Sequence, residues 1–276
     1  MRLSGYPIGP RRIRAVTIER VREENSRVKT LYFKDELCSR ARPGQFVMIW
    51  IPGVDEIPLS LSSINLNGLS SVTVAEVGEA TKALNMRCTG DVVGVRGPFG
   101  NGFEVTDGRT LLIAGGIGIA PLMSLTRALL ENRAEVSLLF GVKTREDLIF
   151  LEELERLSTE DLIKLTITTE DGSYGLRGLV TDVAEKVLAE EDFDMVYSCG
   201  PERMMHKVYK LTEDHGLPLQ VSLERIMRCA MGICGSCAIG EYRVCRDGPI
   251  FRTEQLRVIP DFGRFKRGFN GERVPI

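Results

Sequence analysis

Four cysteines near the end of this 276-residue sequence carry its strongest chemical signal. The pattern C-x4-C-x2-C-x7-C is formed by Cys229, Cys234, Cys237 and Cys245. Four thiolates can hold a [2Fe–2S] cluster, and C-x4-C-x2-C with a more distant fourth cysteine is the spacing of plant-type sites. Small residues between the cysteines, such as Gly232 and Gly235, would let backbone N–H groups approach the sulfides. The spacing therefore predicts a [2Fe–2S] cluster near the C-terminus.

The main alternative for these cysteines is a structural zinc site. Four-cysteine zinc sites usually combine two C-x2-C pairs, whereas this segment has one such pair, Cys234 and Cys237. Free thiols are the remaining alternative. The spacing favours the iron–sulfur interpretation over both.

A glycine-rich turn follows the apolar run Leu111–Ala114. Its candidate nucleotide-binding residues are Gly115, Gly116, Gly118 and Pro121. Proline suits the first turn of a helix, and a helix N-terminus attracts phosphate. Because Pro121 stands where a Rossmann fingerprint has its third glycine, the turn taken alone leaves a tight strand–helix connection equally open.

A second apolar run, Met195–Ser198, ends beside Cys199 and Gly200. Ligands of open α/β sheets bind beyond the carboxyl ends of the strands. Cys199 and Gly200 could therefore face the same crevice as the glycine-rich turn. The simpler interpretation of Cys199 is a small buried residue beside a turn.

Two earlier loops hold further candidate cofactor residues. They are Pro58, Leu59, Ser60 and Leu61 in the first loop, and Gly78, Ala80 and Thr81 in the second. Hydroxyl groups and backbone N–H groups at a helix start could hold a pyrophosphate. Taken alone, both loops have ordinary turn chemistry.

The elements that must position these residues change in kind near residue 106. Residues 11–105 contain short β-rich segments separated by turns, which predicts a small antiparallel barrel. From residue 106 apolar strands alternate with helices, which predicts a parallel sheet with covered faces. We expect a β-barrel domain at 1–105, a Rossmann-like α/β domain at 106–222, and a cysteine-rich segment with an irregular tail at 223–276.

Composition excludes several classes of protein. With 43% hydrophobic and 27% charged residues, the chain is neither fibrous nor disordered. A formal net charge of −2 gives no general attraction to nucleic acid or to an acidic membrane. The apolar stretch 111–125 is interrupted by glycines and a proline, and residues 1–7 lack the core of a signal peptide. We therefore expect a cytoplasmic protein with reduced cysteines that binds neither nucleic acid nor membrane.

The order of the motifs resembles the ferredoxin–NADP reductase superfamily, in which a flavin-binding barrel precedes a pyridine-nucleotide domain. The residues that carry the resemblance are Pro58–Leu61, Gly78–Thr81, Gly115–Pro121 and Cys199–Pro201. With the C-terminal cysteines added, the chain is similar to the iron–sulfur flavoprotein subunits of type B dihydroorotate dehydrogenases.

The resemblance implies three cofactors, which are FAD, a [2Fe–2S] cluster and NAD. The FAD residues that it implies are Pro58, Leu59, Ser60 and Leu61 at the isoalloxazine and ribityl chain, Thr73, Val74 and Ala75 beside them, and Gly78, Ala80 and Thr81 at the pyrophosphate. The NAD residues that it implies are Gly115, Gly116, Gly118, Pro121, Cys199 and Gly200. The chain departs from the family at Ile57, where an arginine commonly stands and would meet an FAD phosphate.

The resemblance further implies an electron-transfer subunit without catalytic residues of its own for dihydroorotate. A nicotinamide exchanges a hydride, an iron–sulfur cluster exchanges single electrons, and a flavin between them can do both. An FMN-containing dihydroorotate dehydrogenase of pyrimidine biosynthesis would be the partner in a hetero-oligomer, and NAD+ would receive the hydride. Lys143 and Arg145 leave the choice between NAD and NADP open.

Two alternatives to this function remain at the level of sequence. The same module could serve a hydrogenase, a sulfur reductase or a ferredoxin. A non-enzymatic alternative is a zinc-binding sensor of nucleotide redox state.

Overall fold

The first part of the chain forms a closed antiparallel barrel. The computed structural model describes residues 9–268 and 270–276, so the segment 1–8, where the sequence predicts no signal peptide, lies outside the described residues. The barrel strands are β1 (Arg14–Asn25), β2 (Val28–Phe33), β3 (Phe46–Ile51), β4 (Asp55–Leu66), β5 (Leu69–Ala75) and β6 (Val92–Phe99), with helix α1 (Glu79–Asn85) between the last two. Their order around the barrel is β1-β2-β5-β4-β3-β6, which confirms the expected barrel.

Alternation along the strands gives the barrel wall two faces. Successive side chains of a strand point to opposite sides. Val47, Ile49 and Ile51 of β3 accordingly lie in the barrel core. Phe46 and Met48 point the other way and pack against the rest of the molecule.

A second sheet follows, with helices between its strands. Its strands are β7 (Arg109–Gly115), β8 (Glu135–Val142), β9 (Ile163–Thr169), β10 (Leu176–Arg177), β11 (Met195–Cys199) and β12 (Leu219–Ser222), all paired in parallel. The helices are α2 (Ile119–Glu131), α3 (Leu151–Thr159), α4 (Val180–Glu190) and α5 (Glu202–Asp214). Leu111–Ala114 of β7 are fully buried, as expected for a strand covered on both faces. The parallel α/β architecture is confirmed. Among the described helices, none is long and apolar enough to cross a membrane.

The C-terminal part of the chain packs onto both preceding parts. Its elements are β13 (Ala238–Ile239), β14 (Tyr242–Arg243), α6 (Val244–Asp247), β15 (Ile250–Arg252), α7 (Thr253–Arg257), β16 (Phe265–Arg267) and β17 (Arg273–Pro275). Strand β15 pairs antiparallel with β12 and so extends the second sheet to the order β10-β9-β8-β7-β11-β12-β15. The expectation of an irregular tail is wrong, because β16 and β17 form a hairpin there.

One hydrophobic cluster joins the barrel to the cysteine-rich segment. Phe46, Met48 and Phe99 on the outer wall of the barrel belong to the same buried cluster as Cys237 and Cys245. Backbone contacts support this packing, since the Asn101 N–H donates to the Gly248 carbonyl at 2.6 Å. The cysteine-rich segment therefore lies directly on the wall formed by β3 and β6.

Candidate functional site

A cavity of about 710 Å³ lies between the barrel and the second sheet. The sheet contributes the carboxyl ends of its strands, where Gly115, Gly116, Gly141 and Thr168 line the cavity together with Pro201. The barrel contributes the turn between β1 and β2 and the residues Ala75, Glu76 and Val77. The structure thus brings the predicted nucleotide loop and the end of a predicted flavin strand to one cavity.

Three glycines hold the loops after β7 and β11 together beneath this cavity. An added Cβ at Gly115 would lie 2.7 Å from Pro201 Cδ, and one at Gly118 would lie 2.3 Å from the Cys199 carbonyl oxygen. A Cβ at Gly200 would meet the Gly115 backbone at 2.9 Å. Gly116 differs, because nothing lies within 4 Å of its would-be Cβ. Gly116 therefore faces open space, whereas the missing side chain at Gly118 allows the two loops to lie in contact.

Cys199 and Pro121 are buried beside the cavity. Cys199 is 2% exposed, and its thiol lies 3.9 Å from the Ser222 carbonyl oxygen. Burial raises the pKa of this thiol, and the charge of Glu224 raises it further. Pro121 lies in the first turn of α2, as the sequence predicts, and is buried there. Cys199 is thus a neutral thiol at the base of the crevice.

The predicted flavin residues on β4 and β5 fall into two groups. Pro58, Leu59 and Ser60 are half-buried, as is Ala75, so they keep surface that a ligand could contact. Leu61, Val74 and Thr73 are buried, the first two completely. The Thr73 hydroxyl lies 2.9 Å from those of Thr30 and Ser62. These three predicted residues therefore shape the wall of the barrel.

The loop before α1 is held in shape by the hydroxyl of Thr81. This hydroxyl accepts hydrogen bonds from the backbone N–H groups of Val77 and Gly78, each at 2.9 Å. It donates one to the Gly78 carbonyl, also at 2.9 Å. Gly78 is exposed and Ala80 half-buried. The hydroxyl of Thr81 is thus occupied by its own loop, while the surface of Gly78 is open to a ligand.

Two arginines of the barrel, Arg87 and Arg96, do not replace the cation that is missing at Ile57. Arg96 is held in a bidentate ion pair with Glu56. Arg87 follows the C-terminal end of α1, the end opposite to Gly78. Sequence reasoning missed Arg27, which lines the cavity and donates from Nη2 to the Glu76 carbonyl at 3.1 Å.

The positive residues that left the nucleotide preference open lie near the same cavity. Lys143 lines it beside Glu170, so that a cation and a carboxylate stand at neighbouring strand ends. The Arg145 backbone N–H donates to the Ser173 hydroxyl at 2.8 Å, and its guanidinium lies 5.9 Å from the centre of the Tyr174 ring. The cavity is therefore of mixed charge at this edge.

The four predicted cluster ligands form two pairs in the segment that runs from the end of β12 into α6. The Cys234 N–H donates to the Cys229 sulfur at 3.5 Å, and the Cys245 N–H donates to the Cys237 sulfur at 3.4 Å. The Gly232 N–H donates to the Cys245 sulfur at 3.2 Å. None of the four cysteines is in a disulfide. Backbone N–H groups therefore surround the sulfurs, as the small residues of the segment predict.

This environment favours a thiolate at one end of the segment. Burial alone would raise the pKa of Cys229, but N–H groups of Cys234, Met231 and Ile233 outweigh it and lower the pKa to about 6. Burial and the neighbouring Cys237 thiol raise the pKa of Cys245 to about 12. Metal ligation requires thiolates. The N–H groups around Cys229 supply part of the stabilisation that such a charge needs.

The pairing of the cysteines bears on the kind of metal site. A single zinc ion needs its ligands to converge on one point. Two thiol pairs suit a two-iron cluster, in which four ligands are shared between two metal atoms. The donor set therefore fits a [2Fe–2S] cluster.

Two models of known protein families match parts of this chain. Residues 112–210 match the model of the oxidoreductase NAD-binding domain. Residues 224–257 match the model of the iron-sulfur cluster binding domain of dihydroorotate dehydrogenase B. The second match covers all four cysteines and disfavours the zinc alternative.

Curated relatives match over nearly the whole chain. The chain is 40% identical to a probable dihydroorotate dehydrogenase B (NAD(+)), electron transfer subunit, of Methanocaldococcus jannaschii, over 93% of this chain and 96% of the relative. It is 44% identical to the protein of the same name in Archaeoglobus fulgidus, over 88% of this chain and 97% of the relative.

Solved structures share the fold. An NADH-dependent reduced ferredoxin-NADP oxidoreductase is 31% identical and superimposes with a TM-score of 0.78, over 92% of this chain and 91% of that one. The cytochrome b5 reductase domain of Ulva prolifera nitrate reductase has a TM-score of 0.62 at 22% identity, over 76% of this chain and 95% of that domain. At this identity the second likeness shows a shared fold and no more.

Proposed function

Because this chain belongs to the family of dihydroorotate dehydrogenase B electron transfer subunits, we propose that it passes electrons from a partner dehydrogenase to NAD+. The partner is a dihydroorotate-oxidising, FMN-containing subunit of pyrimidine biosynthesis, and the two assemble as a hetero-oligomer. Electrons enter at the [2Fe–2S] cluster, cross FAD on the barrel and leave on NAD+. The chain itself is an oxidoreductase subunit.

The order of strands around the barrel carries this proposal. Strand β4, which holds Pro58, Leu59 and Ser60, lies between β5 and β3. The end of β5 lines the nucleotide cavity at Ala75. On the other side, β3 pairs with β6, against which the cysteine segment packs. A flavin on β4 would therefore lie between the nucleotide and the cluster.

The residues of the chain bind and separate the redox groups. When bound, a flavin exchanges a hydride with nicotinamide and single electrons with an iron–sulfur cluster. Gly116 leaves room for a ligand at the carboxyl end of β7, and the contact between Gly118 and Cys199 sets the depth of the crevice. The four cysteines would hold the cluster against the barrel wall formed by β3 and β6.

The test separates the two halves of the electron path. The purified chain should reduce a small dye with NADH, because that reaction needs only the nucleotide cavity and FAD. Dihydroorotate alone should not reduce the dye, and adding the catalytic subunit should confer dihydroorotate oxidation. Rapid dihydroorotate oxidation by the isolated chain, or a purified chain without flavin and iron, would refute the proposal.

A second candidate follows from the likeness to a ferredoxin–NADP oxidoreductase at 31% identity. The same module would then serve a ferredoxin or another redox partner in place of a dihydroorotate dehydrogenase. Purifying the chain from its native cells and identifying the protein that accompanies it distinguishes the two. Co-purification of a dihydroorotate dehydrogenase supports the first candidate.

A further inference from the structure

A partly buried ion pair connects the barrel wall to the first cysteine of the cluster segment. Arg96 on β6 is 8% exposed. Its Nε and Nη2 donate to the two carboxylate oxygens of Glu56 at 2.6 and 2.7 Å. Its Nη1 donates to the backbone carbonyl of Cys229 at 3.3 Å. One guanidinium therefore joins β6, β4 and the cysteine loop.

The positions of the two partners give this link its meaning. Glu56 lies on β4 two residues before Pro58, where the predicted flavin residues begin. Cys229 is the first of the predicted cluster ligands. A bidentate arginine–carboxylate pair is geometrically specific as well as strong. The contact therefore sets the position of the Cys229 backbone relative to β4, the strand that carries the predicted flavin residues.

The guanidinium also remains charged in this environment. The hydrogen bonds that Arg96 donates to the Glu56 carboxylate raise the pKa of Arg96, against the opposing effect of burial. A partly buried charge is screened less than an exposed one. Adding an electron to an iron–sulfur cluster adds a negative charge, and cluster potentials respond to nearby charges and hydrogen bonds.

We propose that Arg96 is a positioning residue for electron transfer. It holds the backbone at Cys229 beside strand β4, and its charge raises the reduction potential of the cluster. The Glu56 carboxylate holds the guanidinium in place. Because it carries the opposite charge, it also lowers the reduction potential of the cluster. This inference rests on the proposed function, since it requires the cluster and the flavin.

The test is an EPR-monitored redox titration of the purified protein with four variants. Arg96→Met should lower the midpoint potential of the cluster, on the order of tenfold in the equilibrium constant for reduction, or about 59 mV for one electron. Glu56→Gln should shift it upward, and the double variant should return it toward the wild-type value. Arg96→Lys should keep most of the potential while losing the bidentate contact. Shifts of opposite sign cannot arise from a general loss of structure.

A second ion pair of the barrel supplies the matched control. Arg14 on β1 donates to both carboxylate oxygens of Asp35 at 2.6 and 2.9 Å, and to the Gly97 carbonyl at 2.8 Å. These hydrogen bonds join Arg14 to the loop after β2 and to β6, and a further one joins it to the carbonyl of nearby Arg12. Arg14→Met should therefore destabilise the barrel but leave the cluster potential unchanged.

Each outcome of the titration decides the inference. Equal potentials in all variants with normal iron content, or shifts of the same sign in Arg96→Met and Glu56→Gln, would overturn it. If Arg96→Met loses its iron, Glu56→Gln decides alone, and an unchanged or lower potential overturns the inference. A wild-type protein without an iron–sulfur signal would instead refute the proposed function.

Discussion

Gly118 lies so close to Cys199 that a side chain does not fit between them. An added Cβ would stand 2.3 Å from the Cys199 carbonyl oxygen and 2.6 Å from the Gly200 nitrogen. Both opposing atoms are backbone atoms, which cannot rotate away as a side chain can. The loops after β7 and β11 are therefore joined at the base of the cavity.

Gly118→Ala should destabilise the protein and weaken NADH binding, because the loops must separate to accept a methyl group. Overpacking of this kind costs about 1–3 kcal/mol of unfolding free energy. Urea unfolding and the KM for NADH in dye reduction measure the two effects. Gly116→Ala is the control for the unfolding measurement, since its added methyl group meets open space and bears only the strain of its φ of 53°. Equal losses in the two variants would contradict this account of Gly118.

Cys234→Ser should abolish the EPR signal of the reduced protein while FAD stays bound, because the flavin residues belong to the barrel. Absorbance at flavin wavelengths and iron content measure the two cofactors separately. Cys88→Ser is the control, because Cys88 is exposed and lies outside the cluster segment. Full iron content in Cys234→Ser would show that the ligand assignment is wrong.

Ile57→Arg should slow the loss of FAD from the protein. Ile57 is half-buried on β4, and Arg96 is committed to Glu56, so neither residue offers a free cation to an FAD phosphate. Charge-assisted hydrogen bonds are roughly twice as strong as neutral ones. The FAD retained after dialysis in chaotropic salt measures the effect. Ile57→Met is the uncharged control. If Ile57→Met retains as much FAD as Ile57→Arg, the electrostatic explanation is wrong.

Acid should weaken the packing of the C-terminal tail on α5 through His206. Its ring lies edge-on to Phe262 at 5.5 Å between centroids. Burial lowers the pKa of His206, and the charges of Lys210 and Arg264 lower it further. The charge of Glu202 raises it but does not cancel these effects. His206 therefore binds a proton more readily in the unfolded chain than in the folded protein. The stability that depends on a neutral His206 is complete above its ordinary pKa of about 6.5 and is lost as the pH falls below that value.

Thermal unfolding at about pH 7.5 and about pH 5.5 measures this effect. His206→Gln should reduce the acid-induced loss of stability, because it removes the titrating ring. His215→Gln is the control, since His215 caps the exposed end of the same helix. An acid response that is unchanged in His206→Gln would exclude His206 as its source.

The sequence by itself determined the features that depend on neighbouring residues. The cysteine spacing places four thiols in one short segment, and the small residues between them let N–H groups reach the sulfurs of Cys229 and Cys245. The apolar run before Gly115 predicts a buried strand that ends at a nucleotide loop, and β7 has this form. The change from short β segments to alternating strands and helices predicts the two architectures. All three are properties of local patterns.

The tertiary structure decided what depends on distant parts of the chain. Glu56, Arg96 and Cys229 come from segments that no local pattern relates, and they meet only because β4, β3 and β6 are neighbours and the cysteine segment packs on their wall. The same holds for Gly118, whose partner Cys199 ends β11, 81 residues later in the chain. Strand register and the packing of one part on another are set by the summed burial of many side chains, so a motif read alone cannot reveal them.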